Sequence, residues 1–264
     1  EAATVRLAAI QPDIPQMDKW SQEVEDQIYE RIRAQTELAL AAKPDLIIWP
    51  ETSVPRPLKS DPVAAAFVTS LAANGVPLLV GALEEEDPLD PYGNLYNDSF
   101  LIDSGGVIVD VYRKNHLVPF GEYLPFDSVM PSIKKLAPLG FTCAAGTRNT
   151  VFHLKRPAVR FSALICFEDI FASLSRTAVR EGAQFLVNQT NDAWFDGSSG
   201  AVQHMSQCVF RSVENRVGVI RVANTGVTCF IDQTGKVDTQ TRLGSLRVAG
   251  TGARWTFYTR HGDL

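Results

Sequence analysis

Apolar residues recur along this chain at two spacings, and the spacing switches repeatedly between them. The run from Val5 to Ile10 is mostly apolar, is closed by Gln11-Pro12, and reads as a strand. Val24, Ile28 and Ile32 then fall at helical spacing, with Ser21 as candidate N-cap and Pro44 beyond the end. Leu46–Trp49 is apolar at every position, the pattern of a strand buried on both faces. Strands follow at Pro77–Ala82, Asn97–Asp103 and Val107–Tyr112, the last two joined by a hairpin signal, Ser104-Gly105-Gly106. Val151–Leu154 and Ala158–Ile165 come next, and then a helix marked by Ile170, Leu174 and Ala178 and stopped at Gly182. Phe185–Asn188 reads as another buried strand, and Ala201–Arg216 as a helix with Val202, Met205, Val209 and Val213 on one face. Strands at Val217–Ala223 and Val227–Asp232, linked by Asn224-Thr225-Gly226, complete the pattern. No repeat or Pro/Gly/Ser-rich linker divides the chain. Mixed strands and helices with two hairpins predict a single α/β domain built as a sandwich, not a purely parallel doubly wound sheet.

The length of 264 residues is ample for a large buried core. With 25 Lys+Arg against 30 Asp+Glu the net charge is −5, which argues against non-specific nucleic-acid binding, since that needs clustered cations. The best apolar run, residues 76–83, contains Pro and Gly and falls well short of the ~18–20 residues that cross a bilayer. The 4 cysteines lie far apart with no CxxC pair, so neither a metal ribbon nor a disulfide framework is indicated. The chain begins at Glu1 without a signal segment, which suggests an excised or processed piece.

Three predicted strand ends are followed by reactive side chains: Glu51, Lys114 and Cys166. Strand ends in α/β folds project functional groups into a common crevice. A cysteine just before a helix feels the positive helix terminus, which would lower its thiol pKa. A carboxylate can serve that thiol as base, and an ammonium can stabilise an oxyanion. Each residue also has a structural reading: a core cysteine, a loop carboxylate, a solvated lysine. Spacing alone does not choose between them.

The words around these residues do. Trp49-Pro50-Glu51, the stretch from Tyr112 to Leu117, and Cys166-Phe167-Glu168 resemble the Glu, Lys and Cys motifs of the nitrilase (carbon–nitrogen hydrolase) superfamily, in that family's chain order. Ile14-Pro15-Gln16 with Lys19-Trp20, the stretch from His116 to Tyr123, Asn191-Asp192-Ala193-Trp194-Phe195, Arg211-x-x-Glu214-x-Arg216 and Asn224-Thr225-Gly226 are similar to the branch that contains apolipoprotein N-acyltransferase.

The resemblance implies a four-layer αββα sandwich and acyl transfer through a Cys thioester, with Glu51 as base, Lys114 as oxyanion partner and Cys166 as nucleophile. It further implies Glu122 as a second carboxylate orienting Lys114, the Phe167 backbone N–H as an oxyanion donor, and Glu168 as support beside the nucleophile. Trp20, Trp194 and Phe195 are implied as substrate contacts. No metal or cofactor is called for. The implied partners are a phospholipid acyl donor and a diacylglyceryl-apolipoprotein acceptor, with no nucleic acid and a monomeric state. The implied setting is the bacterial inner membrane with this domain facing the periplasm. The family's usual Tyr after the nucleophile is replaced by Phe167, and the branch's membrane helices are absent from residues 1–264, so the chain is read as a domain excised from a membrane-embedded parent. The competing reading is a soluble amidase using the same three residues in the cytoplasm; a non-catalytic binding module is the third. His116 and His204 are expected to be scaffold histidines, and Arg211, Glu214 and Arg216 a buried ion network. The stretch containing Phe126, Val129, Met130, Lys134, Lys135, Leu136, Leu139 and Phe141 reads either as a lipid-touching loop or as one folded onto the domain.

Overall fold

The computed structural model describes residues 3–15, 23–87, 89–90, 93–125, 142–195, 198–240, 242–248 and 255–262. The stretch from Phe126 to Phe141, Trp20 and the candidate cap Ser21 lie outside the described residues.

In chain order the elements are β1 (Ala3–Ala9), α1 (Glu25–Ala41), β2 (Leu46–Ile48), α2 (Pro62–Ala72), β3 (Leu78–Glu85), β4 (Leu95–Ile102) and β5 (Ile108–Arg113). The second half continues with β6 (Phe152–Lys155), β7 (Ala158–Ile165), a 3-10 turn (Cys166–Ile170), α3 (Ala172–Arg180) and β8 (Phe185–Thr190). A second 3-10 turn (Asp192–Phe195), α4 (Gly200–Asn215), β9 (Gly218–Ala223), β10 (Cys229–Ile231), β11 (Val237–Asp238), β12 (Leu243–Val248) and α5 (Phe257–His261) follow.

The strands form two 6-stranded sheets, ordered β12-β1-β2-β3-β4-β5 and β11-β10-β9-β8-β7-β6. Each has a parallel centre, β1-β2-β3 in one and β7-β8-β9 in the other, with antiparallel strands at both edges. Side chains alternate across each strand. Thus Leu46 and Ile48 enter the core between the sheets, where they join Phe161, Phe185 and Ile220. Ile47 and Trp49 turn the other way, into the layer formed by Ile28 and Ile32 of α1 and Phe67 and Leu71 of α2. On the outer face of the second sheet, Leu164, Leu186 and Val219 pack with Leu174 and Ala178 of α3 and Cys208 of α4. The result is the four-layer αββα sandwich.

Several elements differ from the sequence reading, and β11, the edge strand β12 and α5 are among those it did not include. Helix α2 was not anticipated, although Asp61 caps it through Val63 N–H and Ala64 N–H at 2.8 and 3.0 Å and Pro62 opens it. In α4 the residues buried outright are His204, Cys208, Arg211, Ser212 and Asn215; of the apolar stripe, Met205 and Val209 pack partly buried against the core while Val202 and Val213 are exposed. Internal pairing lets the polar residues be buried there, because each has a partner from a neighbouring element. The expected three-residue ion network contracts to Arg211 and Glu214, paired at 2.6 and 2.8 Å, with Arg216 exposed in a left-handed helix cap.

Candidate active site

The C-terminal ends of β2, β5 and β7 converge between the sheets. After β2 the chain turns at Trp49-Pro50-Glu51, and Thr52 adopts a positive φ of 44°. Gly81 on β3 is required here, since a Cβ would overlap the Pro50 carbonyl. The same residue's carbonyl accepts from Ser53 N–H at 2.8 Å and Ser53 Oγ at 3.0 Å, which stitches the Glu51 turn to the sheet. Lys114 follows β5 directly and is held by its own backbone: its N–H donates to Asn97 O at 2.9 Å, and its carbonyl accepts from Gly146 N–H at 2.8 Å.

Lys114 is fully buried, and its ammonium lies 3.3 Å from Glu51 Oε1 and 2.9 Å from Glu122 Oε1. Asn97 Nδ2 reaches the same two oxygens at 2.8 and 2.9 Å. Glu122 is further held by Val118 N–H, which donates to its Oε2 at 2.8 Å. Burial penalises the ammonium, yet the negative charges of Glu51 and Glu122 outweigh it and hold the Lys114 pKa above its ordinary value.

Cys166 opens the 3-10 turn with φ 53°, a left-handed conformation that costs a non-glycine residue energy and recurs at functional strand ends. Asn188 Nδ2 donates to the Cys166 carbonyl at 2.9 Å, and the Thr190 side chain hydrogen-bonds the thiol. The expected lowering of the thiol pKa is not found. Burial, and next the Glu51 carboxylate, push the Cys166 thiol up to about 12 against the pull of Lys114. The turn has too few aligned peptide units to offset desolvation.

Glu168, beside the nucleophile candidate, is buried and heavily partnered. Its carboxylate accepts from Tyr112 Oη at 2.9 Å, from the N–H groups of Asn115 and His116 at 2.7 and 3.0 Å, and from Ile165 N–H at 2.8 Å. It thus locks the Lys114 segment to the end of β7. Burial raises its pKa despite these donors. His116 contributes its backbone N–H and stacks on Phe171 at 4.1 Å. Phe167 lies with its ring 5.9 Å from Lys114 Nζ. Trp194 and Phe195 sit on the second 3-10 turn, 70% and 37% exposed. That turn is pinned by Asp192, which is buried and pairs with His204 Nδ1 and Arg221 at 2.9 Å each.

Glu51, Lys114, Cys166, Glu122, Phe167 and Glu168 are therefore brought together, and Trp194 and Phe195 lie on an adjoining turn. Asn97 and Asn188 were not anticipated as site residues. Their signal was that each opens a polar run, Asn97-Asp98-Ser99 in β4 and Asn188-Gln189-Thr190 in β8, that is buried throughout and so needs specific partners.

Fold and site define an αββα sandwich protein that sets a cysteine, a lysine and two carboxylates between its sheets. The family described as carbon–nitrogen hydrolase matches residues 6–249, and the chain belongs to that family. Among curated proteins it is similar to the apolipoprotein N-acyltransferase of Geobacter metallireducens, 38% identical over 99% of this chain and 51% of that protein. The proteins of the same name from Brucella melitensis and Sinorhizobium fredii are 36% and 39% identical over 96% and 88% of this chain and 47% and 44% of theirs. The chain thus spans about half the length of the curated relatives it matches. Among solved structures it resembles Saccharomyces cerevisiae Nit3, a member of branch 10 of the nitrilase superfamily, with TM-score 0.66, 19% identity, and coverage of 93% of this chain and 90% of that one. The amidase from Nesterenkonia sp. AN1 matches with TM-score 0.63 and 17% identity over 93% of this chain and 92% of that one. At these identities the two structures speak for the fold alone.

Proposed function

We propose that this chain is the catalytic domain of a lipoprotein N-acyltransferase that works through a Cys166 thioester. The observation that carries the reading is the buried Lys114 ammonium, shared by Glu51 and Glu122 and within electrostatic reach of the Cys166 thiol. A thiol held neutral by burial is a poor nucleophile until a base removes its proton, and Glu51 is the carboxylate whose charge acts most strongly on it.

In the first half-reaction Cys166 Sγ attacks the ester carbonyl of a phospholipid as Glu51 takes the thiol proton. Lys114 and the Phe167 backbone N–H hold the oxyanion. The ester C–O bond breaks, Glu51 returns the proton to the departing lysophospholipid oxygen, and the acyl chain remains on sulfur. In the second, the α-amino group of an S-diacylglyceryl cysteine attacks the thioester, Glu51 takes the amine proton, and the C–S bond breaks with that proton returned to the thiol. Glu122 orients Lys114, and Glu168 supports the nucleophile through its bonds to residues 115, 116 and 165. No step calls for a metal or cofactor. Phe195 and Trp194, on the exposed second 3-10 turn, and Trp20 contact the substrate.

The setting proposed with this activity is the periplasmic face of a bacterial inner membrane, with the domain carried as a monomer by membrane helices of a longer protein. Among the described residues no helix is long and apolar enough to cross a membrane. The choice of acyl transfer over amide hydrolysis rests on the curated relatives, 31–39% identical and named for that transfer. Incubation with phospholipid vesicles followed by intact-protein mass analysis tests it. An acyl mass on Cys166, absent in Cys166→Ala, is the expected result. Ammonia release from simple amides without any lipid adduct would replace the reading with amidase chemistry.

A further inference from the structure

The buried face of α4 carries His204, Cys208 and Arg211 at helical spacing, and all three meet one short turn. That turn is Cys166–Ile170, the one the nucleophile candidate opens. Cys208 Sγ donates to Asp169 Oδ2 at 3.2 Å, and Arg211 Nη1 donates to the carbonyls of Asp169 and Ile170 at 2.8 and 3.1 Å. His204 Nε2 lies 3.2 Å from Asp169 Oδ1. The other ring nitrogen faces a different element. Nδ1 lies 2.9 Å from Oδ1 of Asp192, which starts the turn that carries Trp194 and Phe195. The Phe195 ring packs edge-on against the same imidazole, 5.8 Å between centroids.

We propose that His204 is a positioning residue that clamps the Asp192–Phe195 turn to the Cys166–Ile170 turn, so that the aromatic pair and the nucleophile are held in one frame. The inference rests on the reading that Trp194 and Phe195 contact the substrate, and it adds how their turn is set against the sulfur. Imidazole suits the task, because it is rigid and carries a nitrogen on each of two edges, both of which donate when the ring is protonated. A glutamine carries its donors at one end only. Arg221 of β9 and Thr190 of β8 also hold Asp192, at 2.9 and 3.2 Å, but from within the second sheet. His204 carries the tie across to the nucleophile turn. Asp192 is hemmed in on its far side by Gly226, at φ 99°, where a Cβ would overlap the Asp192 carboxyl group.

The charged and titratable groups facing the ring are Asp169 from the first turn, Asp192 from the second, Arg221 from β9 and Cys208 from α4 itself. Burial opposes a charge on the imidazole, as does Arg221, whose Nη2 lies 2.9 Å from Nδ1. The bonds to Asp169 and Asp192 outweigh both and raise the His204 pKa to about 9. Burial drives the Cys208 thiol well above its usual range, so it adds no charge. The clamp is thus charged at neutral pH and loses its charge as pH rises through about 9.

Fluorine NMR of protein labelled with 5-fluorotryptophan tests the clamp. The Trp194 resonance, identified by its loss in Trp194→Phe, is followed from about pH 7 to about pH 10. In wild type it should shift with a midpoint near 9, and in His204→Gln that step should be gone. Asp169→Asn, on the other turn, removes one of the two attractions on the ring and should lower the midpoint by about one pH unit. The wild-type and Asp169→Asn titrations decide the matter if the glutamine variant does not fold. In thioester formation from vesicles of equal parts phosphatidylethanolamine and phosphatidylglycerol, His204→Gln should raise the half-saturating lipid concentration about tenfold, more than it slows the limiting rate. Adding Trp194→Ala should then change little, since both substitutions act through one turn. A wild-type Trp194 resonance with no step near pH 9, a step that persists in folded His204→Gln, or a midpoint untouched by Asp169→Asn would overturn the clamp. Wild type that forms no acyl thioester would instead overturn the acyl-transfer reading, and the titrations would still decide the clamp.

Discussion

The side-chain amide of Gln189 donates to the Trp49 carbonyl at 2.6 Å, tying the second sheet to the strand end of the first sheet that carries Glu51. Gln189 is fully buried, and its Oε1 accepts from Ser99 Oγ on β4 at 2.5 Å. This polar bridge crosses the layer of apolar side chains between the two sheets.

Gln189→Leu leaves the Trp49 carbonyl and the Ser99 hydroxyl buried without their partner. It should cost about 2 kcal/mol in urea unfolding. Adding Ser99→Ala should recover part of that stability, because the hydroxyl no longer lacks a partner. The double variant should remain slow in the acyl transfer proposed for this chain, as the Glu51 turn has lost its tether. Full recovery of both would show that the bridge serves packing alone.

Lys114→Met should be more damaging than any surface change, since it strands two carboxylates beside each other in the interior. A loss of about 3–5 kcal/mol of stability is expected near neutral pH. Denaturant midpoints near neutral pH test this, and a loss below about 1 kcal/mol would contradict it.

His204 lies 3.2 Å from Asp169 Oδ1 and 2.9 Å from Asp192 Oδ1. Burial opposes its charge, but the bonds to Asp169 and Asp192 prevail and raise its pKa to about 9. Arg221 lies close by and pairs with Asp192. The folded pKa exceeds the unfolded one, so the stabilisation is fully present below about pH 6.5 and is lost as pH rises through about 9. His204→Gln should therefore cost about 2–3 kcal/mol near pH 6 and little near pH 10. Equal losses at both pH values would refute the charged pairing.

Asp98 behaves in the opposite sense. Burial, only partly offset by Arg113 and Lys59, raises its carboxyl to about 7. The folded chain then holds a proton that the unfolded chain releases, so the contribution of Asp98 to stability falls as pH rises from about 4 to about 7. Asp98→Asn should leave stability near pH 4 unchanged and raise it by about 1–3 kcal/mol near pH 8. A thermal-melt series across pH decides it, and a variant less stable than wild type at pH 8 would reject the shift.

Much of the framework was readable from spacing and local words. The strand Ala158–Ile165 appears with the predicted bounds, and both hairpins and the two-faced burial of Leu46–Trp49 are present. Helix α2 carried a full set of signals in Asp61-Pro62 and the spacing of Ala64, Phe67, Val68 and Leu71, which were overlooked. The buried face of α4 was beyond reach for a different reason. A stripe of valines and a stripe of His204, Cys208 and Arg211 compete for the interior, and only the partners waiting there decide between them. The thiol pKa was misjudged likewise, because the helix-terminus effect is local whereas desolvation depends on everything that packs around the sulfur.

Period-two and helical apolar spacing, together with the Glu51, Lys114 and Cys166 words, pointed to the sandwich and to its candidate site residues from the sequence alone. Those signals are short-range, carried within a few residues of one strand or turn. Tertiary structure alone decided who holds them: Asn97 meets Glu51 across 46 positions of chain and Gln189 meets Trp49 across 140. A buried polar side chain announces that it needs a partner, but which donor meets which acceptor is settled only when the two sheets close over each other and exclude the water that would otherwise serve.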